Sequence, residues 1–141
     1  MIGFNHALAG TVIAATVSPI YVPLIALTSH FVIDALPHFG KSHIFAPYRK
    51  PFVALLGVDA VLCFTILGAS WWLFPDKWLV MTIGIFFATL PDFLWLIEGK
   101  VSWLTPYFSF AKRIQSRESP EGWTYEVLFL CMAVLLIVLI V

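Results

Sequence analysis

Residues 7–36 read ALAGTVIAATVSPIYVPLIALTSHFVIDAL, and the way this stretch divides decides the fold. It is apolar almost throughout, with His30 and Asp34 as its ionisable residues, and Pro19 and Pro23 fall in its middle. Proline removes a backbone donor and pushes the preceding residue away from helix. The stretch is therefore either one kinked span or a hairpin of two short helices turning at Ser18 and Pro19, and the hairpin is our expectation. Asn5 suits the N-cap of the first helix, and Gly10, Ala14 and Ala15 give it a small-residue face for close packing. A secretory signal peptide is not expected, because no Lys or Arg precedes the apolar run.

Outward from the hairpin, composition names the solvent. Of the 141 residues, 61% are hydrophobic and 11% charged, against roughly 25% charged in soluble domains. Eight basic residues balance eight acidic ones, which leaves no cationic excess for nucleic acid. Cys63 and Cys131 lie inside apolar runs and read as packing residues. A bilayer core of about 30 Å needs about 20 helical residues. Segments 52–74, 78–97 and 123–141 qualify, each with a single acidic residue: Asp59, Asp92 and Glu126. Trp71, Trp72 and Trp78 flank one turn, and Trp95, Trp103 and Trp123 mark the opposite ends, as interfacial belts require.

In residues 99–122, Thr105 and Pro106 suit a helix start. Tyr107, Phe108, Ala111 and Ile114 would share one side, with Lys112, Arg113 and Arg117 largely on the other. Two readings stand, a helix at headgroup level or an ordinary loop. The expected fold is all-α: one polytopic integral membrane domain over residues 1–141, with a short N-terminal hairpin, three transmembrane helices and, on the first of those two readings, an interfacial helix. Lys41, Arg49, Lys50, Lys100, Lys112, Arg113 and Arg117 fall on one side and Lys77 on the other. The positive-inside rule makes the first side the cytoplasmic face of an inner or plasma membrane.

A charged Asp at the centre of a span costs roughly 2.5–3.5 kcal/mol on the insertion scale, so each such group needs a partner or a purpose. His30 and Asp34 stand four apart, on one helix face, and His38 follows Pro37. With the hairpin, His6, His30, Asp34, Asp59 and Asp92 all belong to the cytoplasmic half of the membrane. With His38 added, three imidazoles and three carboxylates are the donor set of a zinc, manganese or iron site, mononuclear or dinuclear. His6, His30, Asp34, His38 and Asp92 are the expected ligands, Asp92 completes or bridges the site, and Asp59 ligates or acts as base.

Each residue also has a plainer role open to it. His6 can be interfacial, and His30 with Asp34 can be a buried pair that locks two helices. His38 and Asp92 can cap helices beside prolines, and Asp59 can be a neutral carboxyl inside the bundle. Glu126 can snorkel or cap, and His43 reads as a surface histidine. No GxSxG element and no phosphate-cradling glycine loop occurs.

The segments Asn-His-Ala-Leu-Ala-Gly (5–10), Ser-His-Phe-Val-Ile-Asp-Ala-Leu-Pro-His (29–38) and Leu-Pro-Asp (90–92) together resemble a family of small inner-membrane proteins classed as metal-dependent hydrolases. The HxxxD element is also similar to the metal-binding pair of zinc-dependent phospholipase C. The resemblance implies a helical membrane protein whose His/Asp metal centre acts on an ester or phosphoester, with His6, His30, Asp34 and Asp92 as ligands. That family's His-Arg-Gly-x-Thr-His-Ser stretch is absent here, and Leu-Pro-Asp follows the HxxxD element instead of preceding it.

Three functions are carried forward. The first is a metal-dependent hydrolase acting on an ester or phosphoester, with a phospholipid of the cytoplasmic leaflet as the natural substrate and Arg49, Lys50, Lys112 and Arg113 attracting anionic lipid. The second is a proton or metal-ion transport protein or subunit, in an oligomer that completes the path. The third is a structural subunit with a closed coordination sphere.

Overall fold

The computed structural model describes residues 1–40 and 50–141 and, within these, all side chains but those of residues 50–52, 116 and 120. Among the described residues the chain forms six α-helices: α1 (Gly3–Thr16), α2 (Val22–Asp34), α3 (Lys50–Leu73), α4 (Trp78–Leu94), α5 (Thr105–Ile114) and α6 (Trp123–Ile140). A two-residue parallel pairing joins β1 (His38–Phe39) to β2 (Glu118–Ser119). Lys41, His43 and Arg49, and the side chain of Lys50, lie outside the described residues.

The hairpin forms as expected. A 3-10 turn at Pro19–Tyr21 separates α1 from α2. At 1.5 Å per residue, helices of 14 and 13 residues rise only about 20 Å, short of a bilayer core. Three segments are long and apolar enough to cross a membrane: Val53–Leu73, Pro75–Ile97 and Trp123–Ile140. They coincide with the expected spans, apart from the 3-10 turn Pro75–Lys77 that leads into α4. Of the two readings of residues 99–122, the structure has the helix, at Thr105–Ile114: Phe108 and Ala111 are buried, while Lys112 and Arg113 are exposed.

α1 is the axis of the bundle, packed against α2, α3, α4 and α6. Its small-residue face does what the sequence suggested. A Cβ on Gly10 would stand 2.5 Å from the Gly84 carbonyl oxygen, and one on Gly84 would stand 2.6 Å from the Gly10 carbonyl oxygen. The α1 and α4 backbones are therefore in direct contact, the packing that bilayers favour where apolar burial gives no drive between helices. On the α3 side, the Thr11 and Ser70 hydroxyls hydrogen-bond at 3.0 Å.

The resulting interior is polar and the exterior apolar. Asn5, His6, Thr11, His30, Asp34, His38, Ser70 and Glu126 are buried, while Phe64, Trp72, Phe86, Leu128 and Leu139 are exposed. An apolar surface of that extent is untenable in water and natural in lipid.

The N-terminus of α1 differs from the sequence expectation. The helix begins at Gly3, so Asn5 lies inside its first turn and is not the N-cap. Asn5 Nδ2 donates instead to Glu126 Oε2 at 2.6 Å. The free N–H groups are taken by carboxylates of other helices. Asp59 accepts from the Gly3 and Phe4 N–H groups at 2.9 and 2.8 Å, and Glu126 accepts from the Ile2 N–H at 3.3 Å. A helix that starts inside the bundle has no water for these donors, and an acidic side chain also complements the helix dipole.

Candidate metal centre

Four side chains converge at one end of the bundle: His6 from α1, His30 and Asp34 from α2, and Asp92 from α4. One ligand atom from each lies within 4.8 Å of all the others, so the group can hold a metal ion. The i, i+4 spacing sets the α2 pair, with His30 Nε2 3.2 Å from Asp34 Oδ2. The antiparallel turn of the hairpin returns His6 to the same depth, with its Nε2 3.1 Å from Asp34 Oδ1. Asp92 closes the group from the last turn of α4, its carboxylate oxygens 3.9 Å from His6 Nε2 and 3.9 Å from His30 Nε2.

The donor chemistry fits a cation. His30 Nδ1 lies 2.8 Å from the Ala88 carbonyl oxygen. Only an N–H can bond there, so a neutral His30 presents the lone pair of Nε2 to two carboxylates. A proton or a metal ion must stand between groups that otherwise face each other acceptor to acceptor. A backbone carbonyl fixing the far nitrogen is also how metal-ligating imidazoles are oriented. The His6 and His30 rings stack with centroids 4.0 Å apart, a distance at which two imidazolium charges would repel. His6 Nδ1 and Asp92 Oδ2 are buried atoms without a hydrogen-bond partner among the described residues. The amino group of Met1 also pairs with Asp34 Oδ1, making Asp34 the hub of the cluster.

Access is uneven. The His6, His30 and Asp34 side chains are 2% exposed or less, whereas that of Asp92 is 18% exposed. Asp92 is thus the edge from which the cluster can be reached.

Two other expected site residues stand outside the four. Asp59 is adjacent: a Cβ on Gly3 would overlap Asp59 Oδ2 and lie 3.3 Å from Asp92 Oδ2. Its own oxygens are engaged by the α1 backbone, so it anchors the helix that carries His6. His38 is buried on β1, where Nδ1 bonds the Leu36 carbonyl oxygen at 2.8 Å and Nε2 lies 3.8 Å from Glu118 Oε1. Glu126 caps, but it caps α1 and not its own helix, and it also accepts from the Phe39 N–H at 3.3 Å.

One contributor went unnoticed in the sequence. Gln115 Nε2 donates to Asp34 Oδ2 at 2.9 Å. A neutral side chain 81 positions from its partner leaves no periodic trace, so only the placement of α5 reveals it. Tyr107, also on α5, donates to the Pro91 carbonyl oxygen at 3.2 Å, next to Asp92. Burial, aided by the Asp92 and Asp34 charges, pushes its phenol up to about 12, so it remains a donor at physiological pH. No family model, no curated protein and no solved structure matches this chain, so the site is read from its own geometry.

Proposed function

We propose that the protein is a membrane-embedded metal-dependent hydrolase acting on an ester or phosphoester, with phospholipid as the substrate class. The observation that carries this reading is the combination of two histidines and two carboxylates around one point with a single partly exposed member, Asp92. A purely structural site closes its coordination sphere, whereas a catalytic one keeps an edge open.

His6, His30, Asp34 and Asp92 would hold the ion, with zinc favoured by the imidazole pair and manganese or iron compatible with the carboxylates. When bound, such an ion lowers the pKa of a bound water from 15.7 to about 7 and polarises the scissile oxygen. The chain's own residues supply the rest. The Ala88 carbonyl holds the His30 tautomer, Asp34 bridges the two imidazoles, and the buried, unpartnered Asp92 Oδ2 is an acceptor free to take a proton inside the site. Asp59 and Glu126 hold the start of α1, and with it His6, in place.

A lipid substrate suits the location. Exposed Trp103 and Trp123 mark an interface at this end of the bundle, and Arg113 and Arg117 are exposed beside it. Such groups attract anionic headgroups, and the basic loops make this face cytoplasmic in our reading. The test is to incubate zinc- or manganese-loaded protein with phosphatidylglycerol and phosphatidylethanolamine vesicles, and separately with soluble aryl phosphoesters and esters, following products by mass spectrometry. Turnover abolished by chelator and by Asp34→Asn is expected. A metal-loaded, folded wild type that cleaves none of these substrates overturns the proposal.

A further inference from the structure

Asp34 is met from two directions. Its Oδ1 faces the Met1 amino group and His6, both from the N-terminal segment, and its Oδ2 faces His30 and accepts from Gln115. Gln115 closes the last turn of α5 and opens the 3-10 turn Gln115–Arg117. It thus reaches a candidate ligand from an element that carries none of the four. We infer that Gln115 is a positioning residue of the metal site, holding Asp34 in the orientation that faces His30; this rests on the metal reading above.

The placement of α5 supports the assignment. Phe108 and Ala111 are buried against the bundle. The Phe31 ring, next in sequence to His30, meets Tyr107 at 6.4 Å and Phe110 at 5.3 Å between centroids. The Tyr107 hydroxyl bonds the carbonyl of Pro91, next in sequence to Asp92. α5 is therefore fixed against both helices that supply carboxylates, Lys112 adds an ion pair to Glu98 just beyond α4, and Arg113 is exposed. In this setting the amide of Gln115 is the donor that selects one carboxylate orientation. Hydrogen bonds of this kind, one step removed from the ion, typically change metal affinity by about 10–100-fold.

The test uses cobalt(II), whose visible absorption reports ligand geometry, on full-length protein in detergent. Gln115→Met keeps the volume of the side chain and deletes the donor, and Gln115→Leu is a second donorless variant should the first fold poorly. Ser109→Ala on the same helix removes a hydroxyl that bonds back to the Thr105 carbonyl oxygen and serves as control. Expected for the Gln115 variants is a cobalt Kd raised about 10–100-fold and a shifted visible band, beside the modest loss of metal-free thermal stability that one deleted hydrogen bond brings. Ser109→Ala should match wild type. A Gln115→Met protein with wild-type cobalt affinity and spectrum overturns the inference and leaves the metal site standing. A folded wild type that takes up no cobalt overturns the metal reading itself, and the inference with it.

Discussion

Asp59→Asn separates an anchor from a ligand. Asp59 accepts the Gly3 and Phe4 N–H groups at 2.9 and 2.8 Å, one on each oxygen. Asparagine is nearly the same shape but keeps one acceptor and turns an N–H donor against the other backbone N–H. One hydrogen bond to a charged group is lost, worth about 1.5–3 kcal/mol. The carboxylate's interaction with the start of α1 goes with it, about 0.3–1 kcal/mol. The expected loss is therefore about 2–4 kcal/mol, measurable as the shift in an SDS-induced unfolding curve in mixed micelles. The variant should still bind metal with wild-type stoichiometry, at reduced affinity because His6 rides on the loosened helix. Unchanged stability would refute the anchoring role. Unchanged stability with all metal lost would make Asp59 a ligand.

Gly84→Ala places a Cβ 2.6 Å from the Gly10 carbonyl oxygen and 2.9 Å from the Ala14 Cβ. α1 and α4 must then part, at about 1–3 kcal/mol; an unfolding curve identical to wild type would contradict the close backbone packing. Tyr107→Phe removes the bond to the Pro91 carbonyl, a loss of about 0.5–1.5 kcal/mol. Because the phenol is raised to about 12 in the folded protein, above its ordinary value near 10, this bond contributes below pH 10 and is lost as pH rises through 12. The stability difference between wild type and Tyr107→Phe should thus be flat from about pH 6 to pH 9, and a difference that changes across that window would refute it. His38→Ala should lower stability, since Nδ1 bonds the Leu36 carbonyl, and leave metal content intact; loss of metal would return His38 to the ligand set.

Most of the architecture is legible in the sequence because it rests on local signals. Span length, the tryptophans at the ends, and Pro19 and Pro23 within an apolar run each act within a few residues. So does the spacing of His30 and Asp34. The depth argument then brings His6 and Asp92 to the same place, since a hairpin and two spans of known length leave little freedom along the membrane normal. Rotation about each helix axis is different, because it is set by packing and leaves no mark in composition. The backbone contact of Gly10 with Gly84 turns α1 so that its first N–H groups meet Asp59 and Glu126. That turn makes both residues caps of a buried helix start. The β1–β2 pairing carries His38 to Glu118 and away from the four, and no feature of residues 38–39 or 118–119 announces it. Gln115 reaches Asp34 only because α5 lies against Phe31 and Pro91.

The most direct test of the central claim is metal content by elemental mass spectrometry on protein purified in mild detergent without chelator, for wild type beside folded Asp34→Asn and His30→Gln. Near-stoichiometric metal in wild type, falling away in both variants, is the result the four-residue site predicts. A folded wild type that carries no metal, and takes up none when zinc or manganese is added, would contradict it.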